Sequence, residues 1–380
     1  MLHFDDTEFA RRRAALAAAM ETAGLDALLL FAPESQYWLT GYDTFGYCFF
    51  QCLIWDGTRG VLLTRSADLR QAQLTSNIGD IRVWTDHADA NPARDLAALL
   101  GDLGLAGKRL GVEWDTHGLT AGNGRRLAAA LDGADLTDAS ALISPLRLVK
   151  SPAEIAYIRQ AADLTEAALD AALEVIRPGA NEAEIYAAMH APIFAGGGGY
   201  PGNPFIVGAG DHALLCRTQA GRQTIGDQDQ VTLEWAATMR HYHAAAMQTV
   251  VVGTPRPAHA AMFDAARDAL LACEAALTPG TPMGTVFDAH ARVLDAAGFG
   301  AHRLAACGYC LGARFAPSWM EREMFFTGAP TRVAPGMVFF LHMILMDSDS
   351  GTAMTLGRTS LVGEGGAEPL STRPLEMLRR

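Results

Sequence analysis

The sequence predicts an α/β domain followed by an α+β domain, and three observations lead there. The first 140 or so residues alternate short apolar runs with amphipathic stretches. A Pro-punctuated segment near residue 145 then runs into a long helix. Beyond it, strand-length runs come in adjacent pairs, with the helical stretches set apart from them. At 380 residues the chain also exceeds the ~100 to 200 residues of a single domain, so the boundary is set at 1–145 and 146–380.

Taken in order, residues 7–22 form an amphipathic helix begun near Asp6 or Thr7, and Leu25 to Phe31 is an apolar run of buried-strand length. Cys52 to Ile54, Gly60 to Thr64, Ile81 to Trp84 and Leu110 to Val112 read as further strands, with helices over Pro92 to Leu103 and Ala121 to Leu131. In SPLRLVKSPAEIAYIRQAADL, Ser151 is placed as helix N-cap, Pro152 in the first turn and Glu154 at the third position, which is a capping box. The second half gives helices near 152–175, 182–194, 257–276 and 284–297. Strands fall near 203–208, 231–238, 241–252, 304–311, 337–345 and 353–362.

The balance of 42 acidic against 30 basic residues gives a net charge of −12 with no basic block, which argues against nucleic acid or an anionic membrane as partner. Small substrates are expected, cationic or zwitterionic ones included. No apolar core with a cleavage site opens the chain, and no apolar run reaches the ~18 residues of a membrane span, so a cytoplasmic protein is expected. Six cysteines are too sparse for a disulfide scaffold. Cys307-Gly-Tyr-Cys310 has the spacing of a redox or zinc half-site but lacks a second pair, and Cys48 and Cys52 read as buried small apolar residues. Gly196 to Gly199 lacks the Lys-Ser/Thr of a phosphate loop and reads as a turn.

The phrases RLVKSPAEIAYIRQAA, RPGANEAEI, a strand pair ending in TVVVG, APGMVF and TSLVGEGG make residues 145–380 resemble the creatinase, Xaa-Pro peptidase and methionine aminopeptidase superfamily, the pita-bread fold. The preceding domain resembles the N-terminal domain of the creatinase and prolidase branch. GYDTFGYCFFQCLIWDG, GVEWDTHGLTAG and LEWAATMRHYHAAAMQTVVVG are most similar to the ectoine hydrolase branch, which opens the cyclic amidine of ectoine or 5-hydroxyectoine to an N-acetyl-2,4-diaminobutyrate.

The resemblance implies five positions at which the metallopeptidases hold two ions with Asp, Asp, His, Glu and Glu. Here they are Glu234, Ala245, Tyr309, His342 and Gly357. One carboxylate remains, so the expectation is no metal and no other cofactor, with a single ion on Glu234 and His342 as the alternative. Such a loss is chemically tolerable for a protonated amidine. The substrate brings its own positive charge, and water attack on it yields a neutral tetrahedral species that needs no Lewis acid.

Glu234 is the leading candidate to neutralise an amidinium or act as base, with Trp235 beside it as an aromatic for the substrate. His241 and His243, two apart on one strand face, suit proton transfer, His243 matching a histidine common in the superfamily. His342 is a nitrogen base in a ligand's place, and Tyr309 either donates to a leaving nitrogen or fills vacated volume. Arg217 suits the carboxylate of an amino-acid-like substrate, against a structural ion pair. In the creatinase branch a neighbouring subunit's N-terminal domain closes over the active site. The resemblance thus implies a homodimer, with Glu113 and Tyr47 as substrate groups delivered across it. Three functions compete: a metal-independent hydrolase of a small cyclic amidine or related C–N bond, creatine included, an altered prolidase-type metallopeptidase, and a non-catalytic binding homologue.

Overall fold

The computed structural model describes residues 2–219 and 221–380, and the chain divides into two compact units, Met1–Arg147 and Leu148–Arg380. In the first, α1 (Asp6–Ala23) starts from the Asp5 side-chain cap and ends at Gly24, whose φ of 65° is the left-handed backbone that glycine adopts without strain. After it come β1 (Ala27–Leu30), α2 (Pro33–Thr40), β2 (Cys52–Trp55), β3 (Gly60–Arg65), α3 (Leu69–Thr75) and β4 (Asp80–Trp84). The unit closes with α4 (Pro92–Asp102), β5 (Arg109–Val112), α5 (Ala121–Ala130) and β6 (Asp135–Asp138). The sheet order is β4-β3-β2-β1-β5-β6, parallel except for β1–β2 and β2–β3. The sequence reading lacks α2, α3 and β6. All eight residues of α2 are buried, so it carries no amphipathic pattern to read.

The second unit opens with α6 (Pro152–Val175), whose Ser151–Glu154 capping box is present in full, and α7 (Glu182–Ala195). A sheet follows, built from β7 (Ile206–Ala209), β8 (Asp229–Met239), β9 (Tyr242–Val252), then, after α8 (Pro257–Ala276) and α9 (Met283–Ala296), β10 (Gly308–Cys310), β11 (Val338–Asp347) and β12 (Thr352–Gly363). The order is β10-β11-β12-β9-β8-β7, all antiparallel, with the short β13 (Gly366–Pro369) on β12 and β14 (Leu378–Arg379) beside β9. The expected strand 304–311 is only three residues long. This is the pita-bread architecture that the resemblance implies. Among the described residues no helix is long and apolar enough to cross a membrane.

Alternation along the strands sorts this sheet into two faces. Phe339, Leu341 and Met343 of β11 and Met354 and Leu356 of β12 form a core with Met262 and Leu270 of α8 and Val286 of α9. Trp235 of β8 lies on that same helix-covered face, its Nε1–H donating to the Thr165 carbonyl of α6 at 3.0 Å. The other face therefore carries the intervening residues, and there the functional candidates gather.

Candidate active site

Register places four residues in one row across that face: Glu234 opposite Met247, Met247 opposite Gly357, Gly357 opposite His342. The next row holds Ala236 opposite Ala245 and, across from them, Thr359, Phe340 and Tyr309, the Thr359 hydroxyl joining the two parts at the Ala245 backbone. Tyr309 thus sits one step from the Glu234–His342 row, and its Oη–H donates to Glu234 Oε1 at 3.4 Å. Behind it, Trp319 donates its indole N–H to Tyr309 Oη at 2.7 Å, so the phenol is fixed from both sides. Glu234 is 5 % exposed, and its Oε2 has no hydrogen-bond partner among the described residues.

Electrostatics follow from this burial. Loss of water pushes the Glu234 carboxyl up to about 7, while the Arg217 charge and the Tyr309 hydroxyl pull the other way. His342 moves in the opposite sense, down to about 3, through burial first and then the charges of His290 and Arg217. It is a neutral imidazole at physiological pH. Its ring centroid is 5.6 Å from that of Tyr309, and its buried Nδ1 has no hydrogen-bond partner among the described residues. Burial likewise holds the Tyr309 hydroxyl well above its usual range, which keeps it a donor.

Arg217 is exposed on the segment between β7 and β8, and its charge acts on Glu234, Tyr309 and His342 alike. That segment is clasped at both ends by one buried carboxylate. Glu182, first residue of α7, accepts from the Ala209 N–H at 2.8 Å and the Gln223 N–H at 3.3 Å. Sequence reasoning missed Glu182, because an acid in a first helical turn looks like a partner for the helix dipole. It also missed Trp319, which stands in an irregular stretch with no period to read.

Four sequence-based expectations need correction. His241 is not on a strand: Met239 pairs with Tyr242, so Arg240 and His241 are the two turn residues, with φ of 51° and 67°. Two-residue hairpins demand that left-handed backbone, and here non-glycine residues adopt it. His241 stacks on Phe315 at 4.0 Å and shares no face with His243. His243 does lie on the site face, but opposite Thr238, four residues or roughly 13 Å along β8 from Glu234. Its Nε2 accepts from the Gly202 N–H at 2.9 Å, its Nδ1 is 3.4 Å from the Gly312 carbonyl, and burial lowers it to about 3. That is a neutral structural histidine.

Trp235, on the helix-covered face, cannot line the site. Cys48 is exposed, whereas Cys52 is buried as expected. Within the N-terminal unit Tyr47 is buried in a single 3-10 turn. Glu113 has a task inside that unit. Its carboxylate accepts from Phe31 N–H at 3.0 Å, Ala32 N–H at 2.9 Å and Ser35 Oγ–H at 2.5 Å, closing the N-terminus of α2. All six cysteines are free thiols.

The residues present do not fit a two-metal centre. Ala245 and Gly357 offer no donor, and the Ala245 backbone is bridged by the Thr359 hydroxyl, which accepts from its N–H and donates to its C=O, both at 2.8 Å. A Cβ on Gly357 would stand 2.7 Å from the Leu341 carbonyl oxygen and 2.9 Å from the Phe340 ring, so no carboxylate side chain has room there. Among the described residues no group of three or more His, Cys, Asp or Glu side chains is placed to hold a metal ion.

Comparison with known proteins bears on the same residues. The profile of metallopeptidase family M24 matches residues 156–366, and the creatinase/prolidase N-terminal domain profile matches 12–149. The chain is 27 % identical over 403 residues to the ectoine hydrolase of Halomonas elongata, covering 99 % of this chain and 98 % of that protein. To the Xaa-Pro dipeptidase of Pyrococcus furiosus it is 24 % identical over 237 residues, covering 62 % of this chain and 67 % of that one. The crystal structure of dipeptidase PepE from Mycobacterium ulcerans superposes with a TM-score of 0.85 at 24 % identity, covering 99 % of each chain.

Proposed function

The chain belongs to metallopeptidase family M24, a family of hydrolases, and we propose that within it this protein hydrolyses a C–N bond of a small cyclic amidine without a metal ion, ectoine or 5-hydroxyectoine being the substrates of choice. One observation carries the reading. On the row where a metal centre would stand, a single buried carboxylate with an unpartnered oxygen is retained, while the neighbouring position Gly357 has no room for a ligand.

Glu234 with a proton affinity near neutrality is matched to general base work. As a carboxylate it attracts the amidinium, and the arriving cation brings its raised pKa back down. It takes a proton from water as the water oxygen bonds the amidine carbon. The same proton then passes to the ring nitrogen as the C–N bond breaks, and the hydroxyl proton left on the new carbonyl returns through Glu234 to the freed nitrogen, giving a neutral amide and an ammonium that carries the substrate's original charge. Tyr309 and Trp319 hold the carboxyl oriented for both transfers. Neutral His342 packs its ring beside Tyr309, and Arg217 suits the substrate carboxylate.

The similarity to an Xaa-Pro dipeptidase supports the second reading, an altered metallopeptidase, and the donor set speaks against it. Chelator-treated protein incubated with ectoine, and in parallel with an Xaa-Pro dipeptide, separates the two by proton NMR. Ring opening without added metal is the expected result. Intact ectoine, together with dipeptide cleavage restored by manganese or cobalt, would replace this proposal with the second.

A further inference from the structure

A cavity of about 290 Å³ opens in the N-terminal unit, with Arg13, Thr40, Trp55, Arg59, Asn77 and Asp80 among its lining residues. Its charges are unevenly matched. Asp80 is bound by the Arg82 guanidinium, and Arg59 pairs with Asp56 at 3.1 Å. Arg13, half-buried on α1, makes one hydrogen bond, from Nη2 to the Asn77 side-chain oxygen at 2.6 Å, and no carboxylate bonds it among the described residues. Its Nε–H is buried without an acceptor. The guanidinium carbon lies 5.6 Å from the ring centroid of Trp55, which is 2 % exposed and whose own Nε1–H also has no acceptor among the described residues.

The Arg13 guanidinium is half-buried, and among the described residues the Asp6 charge supports it through space without a hydrogen bond. A guanidinium that lines a cavity and bonds no carboxylate is open to an oxygen-bearing anion. A carboxylate meets the planar fork of Arg13, and the Trp55 ring supplies an apolar wall for a flat body. The volume sits at the lower end of the range for small-ligand sites.

We propose that this cavity binds a small carboxylate with a flat apolar body, held by Arg13 and Trp55. The site stands on the N-terminal unit alone and is independent of the catalytic reading above. The probe is benzoate, with benzamide as its neutral counterpart and inorganic phosphate as a rival anion. The readout is the indole N–H region of a 15N-correlated NMR spectrum of the whole chain, in which Trp55→Phe identifies one of six tryptophan peaks.

Benzoate should move the Trp55 peak saturably. Benzamide should leave it in place, and Arg13→Gln should weaken benzoate at least tenfold. A Trp55 peak that stays still with benzoate, follows benzamide equally, or responds to phosphate instead would overturn the assignment. The benzoate–benzamide contrast is read on the unaltered protein, so it decides the matter even where the Arg13 variant folds poorly.

Discussion

Glu113 and Glu234 are two buried carboxyl groups whose proton affinities burial raises to the same level, about 7, and they do opposite things. Glu113 accepts two backbone N–H groups and a hydroxyl within 3.0 Å, so both of its oxygens are engaged. Glu234 accepts one long bond at 3.4 Å and keeps a second oxygen open. A shifted pKa thus marks burial in both. What marks a site is hydrogen-bonding capacity left unfilled, here in the same strand row as a second unpartnered group, Nδ1 of His342.

Substitution should break this pair apart. Glu234→Gln keeps the shape and removes the base, so turnover of ectoine should fall by about a thousandfold. The same change should stabilise the fold. Because the Glu234 carboxyl is raised from 4.5 to about 7, the unfolded chain ionises first as pH rises, and native stability declines across that window. Thermal melts should show Glu234→Gln gaining on the parent protein from pH 4.5 upward, to about 3 kcal/mol above pH 7. Glu113→Ala should do the reverse. It strands three donors at the head of α2 and should cost about 2–4 kcal/mol in denaturant unfolding.

Smaller effects sharpen the contrast. Arg217→Ala should raise KM for ectoine about tenfold or more. It should also move the rising limb of the kcat/KM pH profile upward from near 7, because the lost cation was holding Glu234 down. A profile that stays put would separate Arg217 from Glu234. Trp319→Phe removes only the donor behind Tyr309, and about a tenfold loss in kcat with KM unchanged is expected.

Much of this fold was legible in the chain. The Ser151 and Glu154 capping box, the long strands β8, β9, β11 and β12, and the row of replaced ligand positions follow from local chemistry and from the resemblance. Tyr309 lies against both Glu234 and His342, and the Arg217 charge acts on all three. The failures have physical reasons. Strand alternation alone forbids Glu234 and Trp235 from facing one site, because neighbours in sequence point to opposite faces. The β8–β9 turn at Arg240 and His241 lacks the glycine or asparagine that announces a two-residue hairpin. The roles of Glu113, Glu182 and Trp319 depend on partners 81, 27 and 10 residues away, which no local pattern encodes.

The most direct measurement is a titration of the Glu234 carboxyl carbon by 13C NMR, assigned with Glu234→Gln, without and with ectoine. In the ligand-free protein it should titrate near 7, and saturating ectoine should shift its midpoint clearly downward as the cation settles against it. A midpoint in the ordinary range near 4.5, or one indifferent to ectoine, would contradict the claim that this open carboxylate receives the substrate's charge.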